Sequence, residues 1–391
     1  MKVLQFSPVF GTIGGVETYV ARLSYDLCIQ GHATAIVTER IPVMRSSSYS
    51  VVAIPGIAAD DSDRYLTVEE QVLRFAESFK PDVVLVHGCS ARLLATLNAR
   101  YPTASFVHLI LCAGGKLFRR QDQVCTHRIS PRCLVDWYAG PCGSSKSPLV
   151  AWRAYRRSRD YIAALRQLPR VIVASNFMRG HLVEEGIEPG RIVIAADFST
   201  GIPVQTPLRR VSGDDNINLL FVGRVVYTKG IQYALRALTL LNERYRLIVV
   251  GEGWYLDRLK QLARELNLEH RVEFTGFLQG AALEERYQQA SVAVVPSLCP
   301  EGAGLVVPEA RGRGLPVAAF RVGGLAEWPD KYDGVYLAEP ADATSLARAI
   351  SDAVHSAPSL ALRGGGVAMT TPEEAVEQIL QNLANWRMIA A

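Results

Sequence analysis

Short apolar runs alternate with stretches of helical spacing along most of the chain. VLQFSPV (3–9) reads as a strand, the Gly-rich GTIGG follows, and apolar residues then recur at helical spacing from about Val16 to Gln30. ATAIVT (33–38) and VVAIP (51–55) are strands and VEEQVLRFAESF (68–79) is a helix. DVVLVHG (82–88) is a buried strand, SARLLATLNAR a helix, and SFVHLIL (105–111) a further strand. Continuous Val, Ile and Leu runs separated by helices predict a parallel sheet covered on both faces.

The pattern pauses over 112–150, where four Cys, several Gly and Pro and no clear period indicate an irregular insertion. A basic helix is expected at about 150–167, and RVIVAS (170–175) and RIVIAAD (191–197) resume the strands. STGIPVQTPLRRVSGDDN (199–216) has linker composition. A second alternating run then begins: INLLFVGR (217–224), RLIVVGEG (246–253), RVEFTGF (271–277), VAVVPS (292–297) and LPVAAF (315–320), with helices between. The fold class is therefore α/β, two doubly wound Rossmann-like domains facing across a cleft. We place the N-terminal domain at 1–200 with its Cys-rich insertion at 112–150, the linker at 201–216, and the C-terminal domain at 217–370. A helix over 371–391 is expected to return to the N-terminal domain. A chain of 391 residues suits two domains. Ligands in such sheets bind at the carboxyl ends of the strands, beside the switch in strand order.

Composition narrows the class. With 49% hydrophobic and 20% charged residues the chain matches globular proteins and is too apolar for a disordered one. MKVLQFSPV carries no long apolar signal core, and no run of about 18 apolar residues occurs, so a cytoplasmic location is expected. The net charge of +4 is unevenly spread: between Cys112 and Arg170, 12 Lys or Arg stand against three Asp, which leaves the remainder acidic. Such a stretch is either a solvated helix face or a surface that meets something anionic, and it contains no recognised nucleic-acid module, so no nucleic-acid partner is expected.

Four features fall at strand ends. Gly11, Gly14 and Gly15 precede a helix, where glycines let a ligand approach the backbone and the helix start attracts anions, although a tight strand–helix turn explains them equally well. FVGRVVYTKG (221–230) puts Arg224 and Lys229 on one strand–helix loop; Arg forks onto phosphate oxygens and Lys adds a point charge, so the pair suits a diphosphate. PSLCPEGAGLVVPEARGRGLPV (296–317) sets Glu301 eight residues before Glu309, with Gly302-Ala303-Gly304 between them to offer backbone N–H groups to phosphates. The carboxylates are placed to take hydrogen bonds from sugar hydroxyls and from a ribose diol. Pro308 belongs in the first helical turn, where its missing donor matters little. RVGGLAEW (321–328) is a further Gly-pair turn, readable as a plain strand–helix connection.

Together FVGR….KG, PEGxGLVxxE and GLPVAAxxVGG resemble the donor domain of the GT-B retaining glycosyltransferases of family GT4, and GGVETYVARLSYDLCIQGHATAIVT resembles that family's first strand, glycine loop and helix. The resemblance covers nearly the whole chain and is weakest at 112–150. It implies that a sugar moves from a UDP- or GDP-sugar to a glycan or lipid-linked acceptor, with retention of configuration, in cell-surface polysaccharide or glycolipid synthesis. It implies that Arg224 and Lys229 grip the diphosphate, Glu301 the transferred sugar and Glu309 the ribose. Gly302, Ala303, Gly304 and Leu305 line the donor, Gly14 and Gly15 close over the phosphates, and Thr275–Leu278 lies beside the base. His108 matches the family's active-site histidine; His87, ending DVVLVHG, is a second strand-end candidate. Two departures stand out: Ala303 occupies a usually aromatic position, and IAADFSTG replaces the customary Asn-Gly-Val-Asp. A nucleotide-sugar epimerase of the same fold is the alternative reading.

Cations that neutralise a leaving diphosphate make a catalytic metal unnecessary, so no cofactor is expected for catalysis. Asp61-Ser62-Asp63 spells a metal-binding D-x-D but lies far from the phosphate motifs. Cys112, Cys125, Cys133 and Cys142 lack paired zinc spacing, yet a structural Zn²⁺ with His127 as spare ligand is one reading of them; disulfides or unconnected thiols are the others. The basic helix, with Trp152, Tyr155, Tyr161, Ile162 and Leu165, is expected to dock peripherally on an anionic inner membrane surface.

Overall fold

The computed structural model describes residues 1–10, 14–40, 48–59, 62–115, 117–118, 123–140, 142–143, 145–195, 216–362, 377 and 381. The chain divides into two compact units, one of Met1–Leu117, Thr126–Phe198 and Thr370–Ala391, the other of Phe118–Cys125 and Ser199–Met369. The expected linker at 201–216 and C-terminal helix at 371–391 lie outside the described residues, save Asn216, Glu377 and Gln381.

The first unit runs β1 (Lys2–Phe6), α1 (Gly15–Ile29), β2 (Ala33–Thr38), β3 (Ser50–Ala53), α2 (Ser62–Phe79), β4 (Val83–Val86), α3 (Ala91–Arg100), β5 (Thr103–Phe106), α4 (Arg132–Ala139), α5 (Pro148–Leu165), β6 (Arg170–Val173), α6 (Asn176–Glu184) and β7 (Ile192–Ile194). Its strands pair in parallel in the order β3-β2-β1-β4-β5-β6-β7, so the order switches between β1 and β4. All four residues of β4 are buried, as a strand covered on both faces requires. α1 contributes Tyr19, Val20, Leu23 and Leu27 to the core, at the spacing of one helix face.

β1 and β5 are among the strands that stop short of their apolar runs. β1 stops at Phe6; Ser7 N still donates to Val37 O at 3.0 Å, and Pro8 then has no N–H to continue the ladder. β5 stops at Phe106, and Val107 N makes a last bond to Ile172 O at 2.8 Å, so His108 lies beyond the strand. Apolar character reports burial and not ladder pairing, so SFVHLIL could not show where the sheet ends. The insertion is also less irregular than its composition, since it holds α4.

The second unit runs β8 (Ile217–Val222), α7 (Ile231–Leu238), β9 (Tyr245–Val250), α8 (Leu256–Glu265), β10 (Val272–Gly276), α9 (Ala281–Gln289), β11 (Val292–Val295), α10 (Val306–Gly312), β12 (Val317–Phe320), α11 (Trp328–Lys331), β13 (Val335–Ala338) and α12 (Ala343–Leu362). Its strands are again parallel, in the order β10-β9-β8-β11-β12-β13. β11 and β12 are buried throughout, and α7 buries Ile231, Ala234, Leu235 and Leu238 against the sheet. Phe118, from the insertion, joins this core and sits 6.4 Å from the Tyr227 ring. The strand order switches between β8 and β11, which directs attention to the loops that leave those two strands.

Candidate active site

Both loops at the switch in the second unit are shaped by glycine. After β8, Val225 N donates to Glu252 O at 2.8 Å, and a single 3₁₀ turn over Tyr227–Lys229 ends on Gly230. Gly230 has φ of 71°, and a Cβ there would lie 1.7 Å from Pro296 O. Only glycine lets the β8 loop press on the loop that follows β11. Leu298 N donates to Thr228 O at 2.8 Å and ties the two loops directly.

That tie brings the predicted cation and carboxylate together. Lys229 Nζ lies 2.7 Å from Glu301 Oε1, with the two side chains 24% and 17% exposed. The Ser297 hydroxyl donates to the same oxygen. Burial pushes the Glu301 carboxyl up, but Lys229, Ser297 and the charge of Arg224 outweigh it, so the carboxyl is held below its ordinary value and stays ionised. Arg224 is itself exposed and makes no ion pair among the described residues. Lys229 and Arg224 thus set two cations beside a fixed anion on the loops that leave β8 and β11.

The loop from Glu301 to Gly304 is held from behind by the fourth feature of the sequence. Gly324 N donates to Glu301 O at 2.9 Å. A Cβ at Gly323 would sit 2.8 Å from both Glu301 N and O, and one at Gly324 would sit 2.4 Å from Gly302 O. Trp328, 1% exposed, donates its indole N–H to Ala303 O at 2.7 Å and stacks on Tyr332. RVGGLAEW is therefore the scaffold of the 301–304 loop. Gly304, at φ of 73°, turns that loop into α10. Among the described residues no acceptor takes the N–H groups of Gly302, Ala303 or Gly304, so these donors remain available.

Glu309 is held apart from the Lys229–Glu301 pair. Its Oε2 accepts from the Tyr287 hydroxyl at 3.2 Å, and Arg313, stacked 4.2 Å over the Tyr287 ring, bonds Glu284 at 2.8 Å. Burial pushes the Glu309 carboxyl up, with Arg313 and Tyr287 opposing. Sequence reasoning does not single out Ser297, Arg313 and Trp328, which lie inside quoted motifs, or Tyr287, which lies outside them; a lone polar or aromatic residue carries no period or spacing to mark its partner. At the end of β10, the Thr275 hydroxyl points at backbone oxygens of Val249 and Gly276, 3.3 and 3.0 Å away, and Leu278 packs on the core.

The first unit carries its own cluster at the carboxyl ends of β1, β4 and β5. Gly14 caps α1 at φ of 124°, and Gly14 O accepts from both N–H and hydroxyl of Thr18. Gly14 and Gly15 are exposed, while Gly11 lies outside the described residues. His87 Nδ1 is 2.8 Å from His108 Nε2, and the His108 ring stacks on Phe106 at 4.2 Å and 10°. Burial lowers the His87 pKa to about 3, and burial, with His87 adding to it, holds His108 well below the ordinary histidine value.

His127 Nδ1 pairs with Asp136 Oδ2 at 2.9 Å, and Cys112 Sγ accepts from Leu117 N at 3.2 Å. Among the described residues no three His, Cys, Asp or Glu side chains come together in an arrangement that could hold a metal ion. Asp61 lies outside the described residues. On α4 and α5, Val135, Tyr138, Leu149, Val150 and Trp152 are exposed, and the Arg156 guanidinium covers the Trp152 ring at 5.2 Å. Among the described residues no helix is long and apolar enough to cross a membrane.

Comparison with known proteins addresses both halves. The family model described as glycosyl transferases group 1 matches residues 208–363, and that of glycosyltransferase family 4 matches 13–196. A D-inositol 3-phosphate glycosyltransferase of Acidothermus cellulolyticus is 31% identical over 345 residues, covering 81% of this chain and 73% of the relative. An uncharacterized glycosyltransferase of Methanocaldococcus jannaschii is 42% identical over 116 residues, 29% of this chain and 30% of its own. Across that protein and two further relatives the match spans 30%, 38% and 50% of their lengths. Among solved structures, Anabaena HepE in complex with UDP and glucose superposes with a TM-score of 0.71 at 18% identity, covering 98% of this chain and 99% of the other.

Proposed function

This chain belongs to the family 4, group 1 glycosyltransferases of GT-B fold, and from that premise we propose that it moves a sugar from a nucleoside diphosphate, UDP or GDP, to a glycan or lipid-linked acceptor with retention of configuration. One observation carries the reading: the ionised Glu301, paired with Lys229 beside Arg224, stands at the strand switch next to a loop whose amides are uncommitted. Arg224 and Lys229 neutralise the charge that grows on the departing phosphate, and the amides of 302–304 add fixed dipoles. Glu301 orients the transferred sugar by accepting from its hydroxyls. The bond from the anomeric carbon to the phosphate oxygen breaks, the acceptor hydroxyl oxygen bonds to that carbon from the same face, and its proton passes to the phosphate oxygen that leaves. Glu309 holds the ribose diol, and His108 accepts from a substrate hydroxyl. The Anabaena structure, with UDP and glucose bound, favours UDP among the nucleotides.

The test is a panel of UDP-, GDP- and ADP-sugars scored for hydrolysis and thermal stabilisation, because a ligand that binds only the folded state raises its melting temperature. At least one UDP- or GDP-sugar is expected to do both. If none does either on folded protein, the reading is wrong.

We further propose that α4 and α5 dock on an anionic membrane surface, where exposed Leu149, Val150 and Trp152 enter the interface and Arg153, Arg156, Arg157 and Arg159 meet headgroups. Co-sedimentation with phosphatidylserine vesicles at low salt, absent with phosphatidylcholine alone, is expected. Equal recovery in the supernatant with both lipids rejects this surface.

A further inference from the structure

Gln5, next to the end of β1, has no exposed surface, an unusual place for an amide, since each buried donor or acceptor must find a partner. Its partners run in a line. Ser24 Oγ lies 2.7 Å from Val20 O, and a carbonyl can only accept, so the one hydroxyl hydrogen is spent there. Gln5 Nε2 is 2.8 Å from Ser24 Oγ and must be the donor, which turns Gln5 Oε1 toward His87 Nε2 at 2.9 Å. That nitrogen therefore carries the His87 proton.

The order of donors continues outward. Burial keeps His87 neutral, and no carboxylate takes part in the line, so its Nδ1 is bare. His108 Nε2, 2.8 Å away, must then hold a proton and donate it. His108 is neutral as well, which leaves its Nδ1 bare. No described residue bonds that nitrogen. The ring plane is fixed by the Phe106 face at 4.2 Å and by Tyr19, whose ring meets it edge-on at 5.0 Å and 67°.

We propose that Gln5 and His87 are positioning residues that lock His108 in the Nε2–H tautomer, so that His108 meets substrate through a bare Nδ1 that accepts a hydrogen bond from a hydroxyl and has no proton to give. The order is set from the core outward, by a serine bonded to its own helix. It assigns a purpose to a buried polar line that packing alone would fill better with aliphatic side chains. The substrate part rests on the glycosyltransferase reading; the tautomer part does not.

Histidine-selective ¹⁵N NMR on the full chain at neutral pH reads the tautomer directly. The wild type is expected to show His108 with Nε2 protonated and Nδ1 bare. A protonated Nδ1, or a cationic His108, overturns the proposal whatever the enzyme does. His87→Phe keeps a flat ring in the stack but removes the acceptor, and is expected to give a tautomer mixture. His87→Gln can accept from His108 and donate to Gln5, and is expected to restore the single form. On the nucleotide sugar that the wild type cleaves fastest, His87→Phe is expected to lower kcat about tenfold, the scale of one misplaced neutral hydrogen bond, and His87→Gln to recover most of it. A fall in acceptor-free hydrolysis as well as transfer assigns the hydroxyl to the donor sugar; a fall in transfer alone assigns it to the acceptor. Wild-type turnover in a folded His87→Phe protein with mixed tautomers overturns the substrate part. If the wild type cleaves no nucleotide sugar, the functional reading fails while the tautomer result stands.

Discussion

Lys229 and Glu301, 72 residues apart in the chain, meet at 2.7 Å across the switch in strand order of the second sheet. Glu301 lies on a loop, and Lys229 ends a single 3₁₀ turn. The contact exists because Gly230 lets the β8 loop touch Pro296 and because Leu298 bonds Thr228. If Lys229 and Arg224 neutralise a leaving diphosphate, Lys229→Ala and Arg224→Ala each reduce kcat by about two orders of magnitude, the size of a lost electrostatic donor. Steady-state turnover checks this, and a near-wild-type rate in either variant removes that residue from the mechanism.

The same pair predicts an acid dependence. The folded-state pKa of Glu301 is below its ordinary value, so its stabilisation is fully present above the ordinary carboxylate range and is lost as pH falls through the lowered value. The melting-temperature gap between wild type and Glu301→Gln should therefore narrow toward acid. In Lys229→Met, burial is less opposed, and the Glu301 carboxyl should titrate higher by ¹³C NMR.

His87 and His108 give a second, separable acid response. Both are held neutral well below the ordinary histidine value, so the unfolded chain binds more protons once pH drops below about 6.5. Stability of the first unit should fall from there down toward pH 3, with a slope of up to about 1.4 kcal/mol per pH unit for each histidine. The groups around them, Gln5, Tyr19 and Phe106, bear no formal charge at those pH values. Denaturant titrations of wild type and His87→Gln over that window should show the shallower slope in the variant.

Gly230→Ala tests the loop contact. A left-handed backbone costs an alanine about 1–2 kcal/mol, and here the methyl must also displace Pro296 O. Gly31→Ala is the control, with φ of 82° and nothing within 4 Å of the added carbon. Calorimetry should show the larger loss in Gly230→Ala, together with weakened nucleotide-sugar binding that Gly31→Ala does not share.

Trp328→Phe removes the donor to Ala303 O and leaves that carbonyl unpaired behind the loop, a cost of about 1–3 kcal/mol. Because Trp328 supports the loop without reaching its open side, donor KM should rise more than kcat falls. An unchanged KM would show that the indole does not hold the 301–304 amides in place.

Much of this was legible in the residues themselves. Two parallel sheets follow from apolar runs such as VVLV and VAVV, since a strand covered on both faces has no polar side to show. Arg224, Lys229 and Glu301 were marked by their motifs, because glycine and charge at a strand end point to a turn with an open donor. The end of β5 was not legible, since burial and ladder bonds part company at Phe106. Nor was the role of RVGGLAEW, which acts on a loop some twenty residues earlier, nor the line from Ser24 through Gln5 to His87 and His108. Sequence fixes what each residue can do locally, through backbone preference, polarity and charge. Which distant groups share a proton or a carboxylate is decided only when sheet order brings loops from separate strands within hydrogen-bond reach.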